Sequence, residues 1–299
     1  MNKFSLREKF TNFSFVLPAL IIFSIFYLYP FFYTFWLSFH KGDGIFILEF
    51  VGLANFKEVI IFDKDWWSSL YNGTFITLWA LTFQNILAFM LALGVDKLTK
   101  TGKFYRVIFF ILPVLSEIII GLLMRELLVS GQGGGVLNFW LNRLGLGYLA
   151  RDWLGKERVL LTTALVHCWK GFGWAFVILL AGLQTIPEQL YESARIDGAN
   201  SFQCFFKITL PLMLPVVALV FILTILGTMQ AFAMILALTR GAGGLTEVPV
   251  MRIYNHLRGN QVGLACAEGI ILGAILITVS FIMMYISKKL REKYGVLSN

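Results

Sequence analysis

Six long stretches almost free of charge constrain this chain more than any other feature. Phe10 to His40 and Trp66 to Val95 contain no Asp, Glu, Lys or Arg. Val107 to Met124 is interrupted only by Glu117, and Val159 to Pro187 only by Lys170. Ile208 to Thr239 and Gly269 to Ser287 are again uncharged. Hydrocarbon offers the backbone no hydrogen-bond partners, so a spanning segment closes its own bonds as a helix, and about 20 apolar residues cover a core about 30 Å thick. The stretches predict an all-α integral membrane protein with about six transmembrane helices, at roughly 14–39, 69–95, 104–128, 159–183, 211–239 and 265–287. Strands of a membrane barrel would be shorter and alternate polar with apolar residues, which these do not. At 58% hydrophobic and 14% charged, the composition excludes a soluble enzyme, a disordered chain and a collagen-like fibre.

The first stretch follows Lys3, Arg7 and Lys9, as the core of a signal peptide would. It is far longer than such a core, and no small-residue cleavage site follows, so it reads as an uncleaved helix. Lys and Arg in short loops set the orientation. With the N-terminus inside, Lys97, Lys100, Lys103 and Arg106 face the cytoplasm, as do Lys288, Lys289, Arg291 and Lys293. The opposite loop, 40–65, sets Lys41, Lys57 and Lys64 against Asp43, Glu49, Glu58, Asp63 and Asp65. Both termini are therefore expected in the cytoplasm of a multi-pass protein, and the net charge of +8 reflects its basic inner loops rather than nucleic-acid binding. The loop 130–158 carries Arg143, Arg151, Lys156 and Arg158, but long loops cross with less regard to charge. Its Gly131, Gly133, Gly134 and Gly135 fit either a flexible connector or an external cap with a short helix.

Nothing else suggests a second domain, and one transmembrane domain over 1–299 is expected. Cys168, Cys204 and Cys266 have no paired or metal-ligand spacing. No GxxxxGK[ST] occurs, so the chain has no P-loop with which to hydrolyse ATP.

Between spans four and five lies a more informative segment, 186–211. Pro187 can open a helix as its first residue. Leu190, Ala194 and Asp197 follow at helical spacing, and Gly198 can end that helix in a left-handed conformation. Phe202, Phe205 and Phe206 repeat as a second short helix with an aromatic face, before Pro211 and Pro215 begin the next span. Pattern alone fits an amphipathic helix on the headgroups. The small Ser193 and Ala194 beside Glu192 fit a surface that another protein approaches closely.

The segment Tyr191-Glu-Ser-Ala-Arg-Ile-Asp-Gly198, followed by Ile208-Thr-Leu-Pro211, resembles the EAA loop of binding-protein-dependent ABC importer permeases. Within that group the chain is similar to the maltose-type sugar permeases over about residues 13–293. Leu17-Pro18-Ala19, Tyr29-Pro30, Val51-Gly-Leu-Ala-Asn-Phe56, Phe110-Ile-Leu-Pro113, Trp169-Lys-Gly-Phe-Gly173 and Ala181-Gly-Leu-Gln-Thr-Ile-Pro187 fall in the family's order, as does Gly263-Leu-Ala-Cys-Ala-Glu268. Two departures stand out. Ser193 replaces the usual Ala, and Arg240-Gly-Ala-Gly-Gly244 replaces a Gly-Gly-Gly-Pro stretch, which leaves the outer loop's shape open.

The resemblance implies a non-enzymatic permease in a bacterial cell membrane, with segment 186–211 as a cytoplasmic coupling helix–turn–helix. It would dock into a groove of a separate ATPase through Tyr191, Glu192, Ser193, Ala194, Asp197 and Gly198, with Glu192 as the polar contact, Ala194 permitting close approach and Gly198 setting the bend. Two ATPase subunits would bind ATP and Mg, so no cofactor is expected in this chain. A second homologous permease, an extracellular solute-binding protein and membrane lipid complete the expected partners. Polar groups within spans are candidates for a solute path, and the family's cavity positions match His167, Gly171, Trp174, Thr224 and Thr228. Lys170 and Gln230 belong to the same candidate path. His167, Lys170, Gly171 and Trp174 share a helix face. Glu117 and Glu268 read as interhelical polar contacts, and Gln84 and Asn85 stay open between packing and path. The expected cargo is a sugar or oligosaccharide. Alternatives are another polar solute, such as a glycerol phosphodiester, or a stand-alone secondary transporter, whose mark would be paired buried carboxylates or matching broken helices.

Overall fold

The computed structural model describes residues 6–42, 49–96, 101–129 and 135–293. Lys3, Asp43, Lys97, Lys100, Gly131, Gly133 and Gly134, which entered the orientation and loop readings, lie outside them. The helices are α1 (Thr11–Leu37), α2 (Ala54–Lys57), α3 (Lys64–Asp96), α4 (Gly102–Val114), α5 (Glu117–Leu128), α6 (Gly135–Arg143), α7 (Val159–Leu183), α8 (Glu188–Ile196), α9 (Ser201–Met229), α10 (Ala233–Thr239), α11 (Pro249–Arg258) and α12 (Val262–Lys293). Among the described residues, α1, α3, α7, α9 and α12 are each long and apolar enough to cross a bilayer, and the bent pair α4–α5 makes a sixth candidate.

Two of the expected spans are not single helices. Span three, expected over 104–128, bends by 92° between α4 and α5. Pro113 has no N–H to give Phe109 O, and Leu115 and Ser116 are extended at ψ 144° and 133°. Span five, expected over 211–239, stops at Met229, and α10 follows as a separate helix. Tertiary packing favours the break. α10 lies against α5 at Gly121, where a Cβ would stand 2.6 Å from Met234 O and 2.7 Å from Ala237 Cβ.

The chain forms two compact units, Met1–Asp63 with Ile253–Ile271, and Lys64–Arg252 with Leu272–Asn299. In the first, α1 carries a ladder of stacked rings, Phe23 on Tyr27 at 5.4 Å and Tyr33 on Trp36 at 5.7 Å. None of its apolar window is buried. A short antiparallel pair follows, β1 (His40–Lys41) with β2 (Glu49–Phe50), in which His40 faces Phe50. Asn55 of α2 closes this turn, donating from Nδ2 to Ser38 O at 2.8 Å and His40 O at 2.9 Å. His256 Nδ1 and the fully buried Glu268 Oε2 lie 2.9 Å apart, so Glu268 makes the interhelical contact expected of it.

The second unit has two apolar clusters. One gathers Ile76, Ile120, Ala164, Val166, Met234 and Met251. The other gathers Ala88, Phe172, Phe176, Leu179, Met213 and Val220. Pro113 shapes the second as well, because Phe109 O, deprived of its helical donor, rests on Gly173 of α7, where a side chain would collide.

Candidate functional site

A polar layer separates the two clusters on three helices. On α3, Gln84 and Asn85 fall between Ile76 and Ala88. On α7, His167, Lys170 and Gly171 fall between Val166 and Phe172, and on α9 Thr224 and Thr228 lie just beyond Val220. These groups meet. Thr224 Oγ1 donates to Val220 O at 2.8 Å and receives Asn85 Nδ2 at 3.2 Å. His167 Nε2 lies 3.2 Å from Thr228 Oγ1. Lys170 Nζ donates to Glu117 Oε1 at 2.8 Å. Gln84, 1% exposed, packs on Gly171, where a Cβ would overlap its carboxamide, and its Oε1 has no hydrogen-bond partner among the described residues.

Both helix breaks occur beside this layer. Glu117 opens α5 directly after the bend, and Gln230 follows α9 immediately after Thr228 and Met229. Irregular backbone at membrane depth is tolerated where it is buried in protein or lines a wet cavity. A buried carboxamide oxygen without a donor, an ion pair and two interrupted helices together leave a place with the chemistry to receive polar groups. Asn85 and Gln84 belong to it, although their sequence signal stopped at being amides in an apolar run. A π turn over Ala80–Gln84 precedes Asn85, and such turns recur at functional positions.

The other candidate site is the elbow between α7 and α9. Pro187 is its N-cap (φ −62°, ψ 131°) rather than its first helical residue, so α8 starts one residue later than expected. The helix stops through a two-bond left-handed cap. Gly198 takes φ +82°, its N–H bonds Arg195 O at 3.0 Å, and Ala199 N–H bonds Ala194 O at 2.8 Å. Asn200 then opens α9 with reciprocal 2.9 Å bonds to Gln203, a capping box. The aromatic helix expected to stand alone before the fifth span is instead the start of that span, which runs unbroken from Ser201. Pro211 cannot donate to Lys207 O, and the preceding turn, Phe205–Thr209, widens to π geometry.

No residue of α8 is buried. Glu192, Ser193 and Asp197 are exposed, Tyr191 and Ala194 half-buried, and Ile196 stands 87% exposed. The helix is held by Tyr191 Oη, 2.9 Å from Thr209 Oγ1, across a cleft of about 550 Å³ lined by Gln184, Arg195 and Phe205 among others. An apolar, small and acidic surface is thus presented on a braced support, which suits docking rather than burial.

Of the residues expected on a path, the structure brings His167, Lys170, Gly171, Thr224 and Thr228 into the polar layer. Trp174 lies half-buried against the Phe172–Phe176 cluster, and Gln230 is exposed at the end of α9.

Comparison with known proteins gives the family and the fold. The profile of the family described as "Binding-protein-dependent transport system inner membrane component" matches residues 84–292. The trehalose/maltose transport system permease protein MalF of Thermococcus litoralis is 32% identical over 289 residues, covering 95% of each chain. The multiple sugar-binding transport system permease protein MsmF of Streptococcus mutans is 29% identical over 290 residues, covering 94% of this chain and 97% of its own. A crystal structure of a bacterial ABC transporter involved in import of the acidic polysaccharide alginate shares the fold at a TM-score of 0.80 and 23% identity, covering 95% of this chain and 97% of that one.

Proposed function

The chain belongs to the family of binding-protein-dependent transport system inner membrane components, and from that premise we propose that it is a permease subunit of an ATP-driven sugar importer. It forms half of the translocation path for a sugar or oligosaccharide delivered by an external solute-binding protein. A second, homologous permease supplies the other half, and two ATPase subunits bind ATP and Mg on the cytoplasmic side, where both termini of this chain also lie. The chain contributes binding surfaces and motion, not catalysis.

The observation that carries the reading is α8, a helix with no buried residue braced between a left-handed cap and the Tyr191–Thr209 contact. A coupling element has to be exposed to its motor yet stiff toward its own spans, since only a load passed to the spans shifts their inward and outward populations. The names of the relatives support the sugar. Thr224, Thr228, Asn85, Gln84 and His167 offer a solute hydroxyl-compatible donors and acceptors, and the Lys170–Glu117 pair leaves that face without net charge.

The reading is tested with Gly198→Asp, which strains the bend and adds a charge beside the docking face. The variant is expected in the membrane at wild-type level, with ATPase co-purification and sugar uptake both strongly reduced. Wild-type uptake would overturn the docking role.

A further inference from the structure

On the outer surface of the second unit, α4 and α7 leave a groove of about 500 Å³ between them. Its walls are almost wholly apolar, with Phe110 and Val114 on α4 and Val177 and Ala181 on α7. The exception is one end, where Arg106 and Gln184 stand together. That end belongs to the elbow side of the membrane, because Gln184 directly follows α7 and precedes α8. From Arg106 to Val114 the groove follows eight residues of helix, about 12 Å at the α-helical rise, close to the thickness of one leaflet's hydrocarbon layer.

Arg106 has a feature that its position does not explain. Its Nε is fully buried and has no hydrogen-bond partner among the described residues. A guanidinium presents its donors as a fork that fits the oxygens of a phosphate. Lys103, one turn earlier on the same face of α4, is exposed and adds a second positive charge. A neutral apolar helix packed into this groove would satisfy its walls and leave Nε without an acceptor. An acyl chain ending in a phosphodiester covers the walls and offers the guanidinium acceptors and a counter-charge once the Arg106 side chain turns its fork toward the groove.

We propose that the α4–α7 groove binds an anionic glycerophospholipid of the elbow-side leaflet, with one acyl chain along Phe110, Val114, Val177 and Ala181 and the phosphate on Arg106. Basic pockets between membrane helices hold anionic headgroups by this combination of field and shape. The lipid lies along the seam of the helix that bends at Pro113 and the helix that carries the polar layer, which touch directly at Phe109 and Gly173.

The test uses the full chain purified from membranes together with its companions, with bound lipid measured by mass spectrometry and stability by thermal melting. Added phosphatidylglycerol is expected to be retained and to raise the melting temperature more than phosphatidylcholine does. Arg106→Gln should lower phosphatidylglycerol retention about fivefold, the effect of one interfacial cation. Ala181→Phe fills the apolar part, leaves Arg106 intact and should also lose the lipid. If Arg106→Gln does not fold, the Ala181→Phe comparison decides. Undiminished retention in Ala181→Phe, or stabilisation by inorganic phosphate equal to that by the lipid, would overturn the proposal. So would efficient crosslinking of Ala181→Cys to a companion permease, which would show a protein helix in the groove.

Discussion

Two helices, α7 and α9, carry part of the polar layer and flank the elbow, yet the layer and the elbow solve opposite problems. In the layer nearly every polar group has found a partner inside the chain, as in His167 with Thr228, Asn85 with Thr224 and Lys170 with Glu117. On the elbow the turn between α8 and α9 is closed by the caps at Gly198 and Asn200, while Glu192, Ser193, Asp197 and Ile196 are left facing outward. Hydrocarbon makes an unmade hydrogen bond expensive, so a path for a polar solute has to rest with its groups paired and exchange those partners for the solute's hydroxyls. An interface in water carries no such constraint and can leave its contact groups waiting. A substitution in the layer should therefore alter transport without altering docking, whereas one on the elbow should lower docking and uptake together.

The largest effect is expected from Gly171→Leu. Gln84 is sealed against Gly171 and has no solvent into which to turn, so overpacking of about 1–3 kcal/mol falls on the layer. Uptake should drop by more than about tenfold with ATPase co-purification unchanged, and loss of both together would erase the contrast between the regions. Lys170→Met and Glu117→Gln come next, since each strands a charge whose partner is 2.8 Å away. Each alone should cut uptake by about fivefold, while the exchange Lys170→Glu with Glu117→Lys recovers part of it, as coupled neighbours do. An exchange no better than either single change would show that the pair does not organise the bend. The smallest effect belongs to Tyr191→Phe, which removes only the hydroxyl bonded to Thr209, about 0.5–1.5 kcal/mol. Its signature is a few-fold weaker ATPase binding together with lower uptake per bound ATPase, because the lost bond is also the brace, measured by titration and flux on the same preparation.

The spans were legible in the sequence because hydrophobic length is a one-dimensional property, and the five long helices and the bent pair fall where the uncharged runs fall. The breaks were not. Hydropathy averages over Pro113 and over Gln230, and neither the stranded Phe109 carbonyl nor the packing of α10 on Gly121 has a signature in composition. At the elbow, Gly198 announced the left-handed stop. The Asn200-x-x-Gln203 spacing of a capping box was also present to be read, and it shows why the second helix runs on as the span. Gln84 and Asn85 stayed ambiguous because a π turn changes which face consecutive residues present, and nothing in the local sequence reports that turn. The motif Val51–Phe56 entered as a family likeness alone; the structure gives Asn55 its physical task of tying two carbonyls of the preceding turn.

The ring-lined α1 gains no burial along its apolar window from the rest of the described chain. Its stay in the bilayer therefore rests on lipid affinity rather than on packing within the described chain. In the proposed assembly, that aromatic flank is the part of the first unit left for lipid tails or a companion helix to cover.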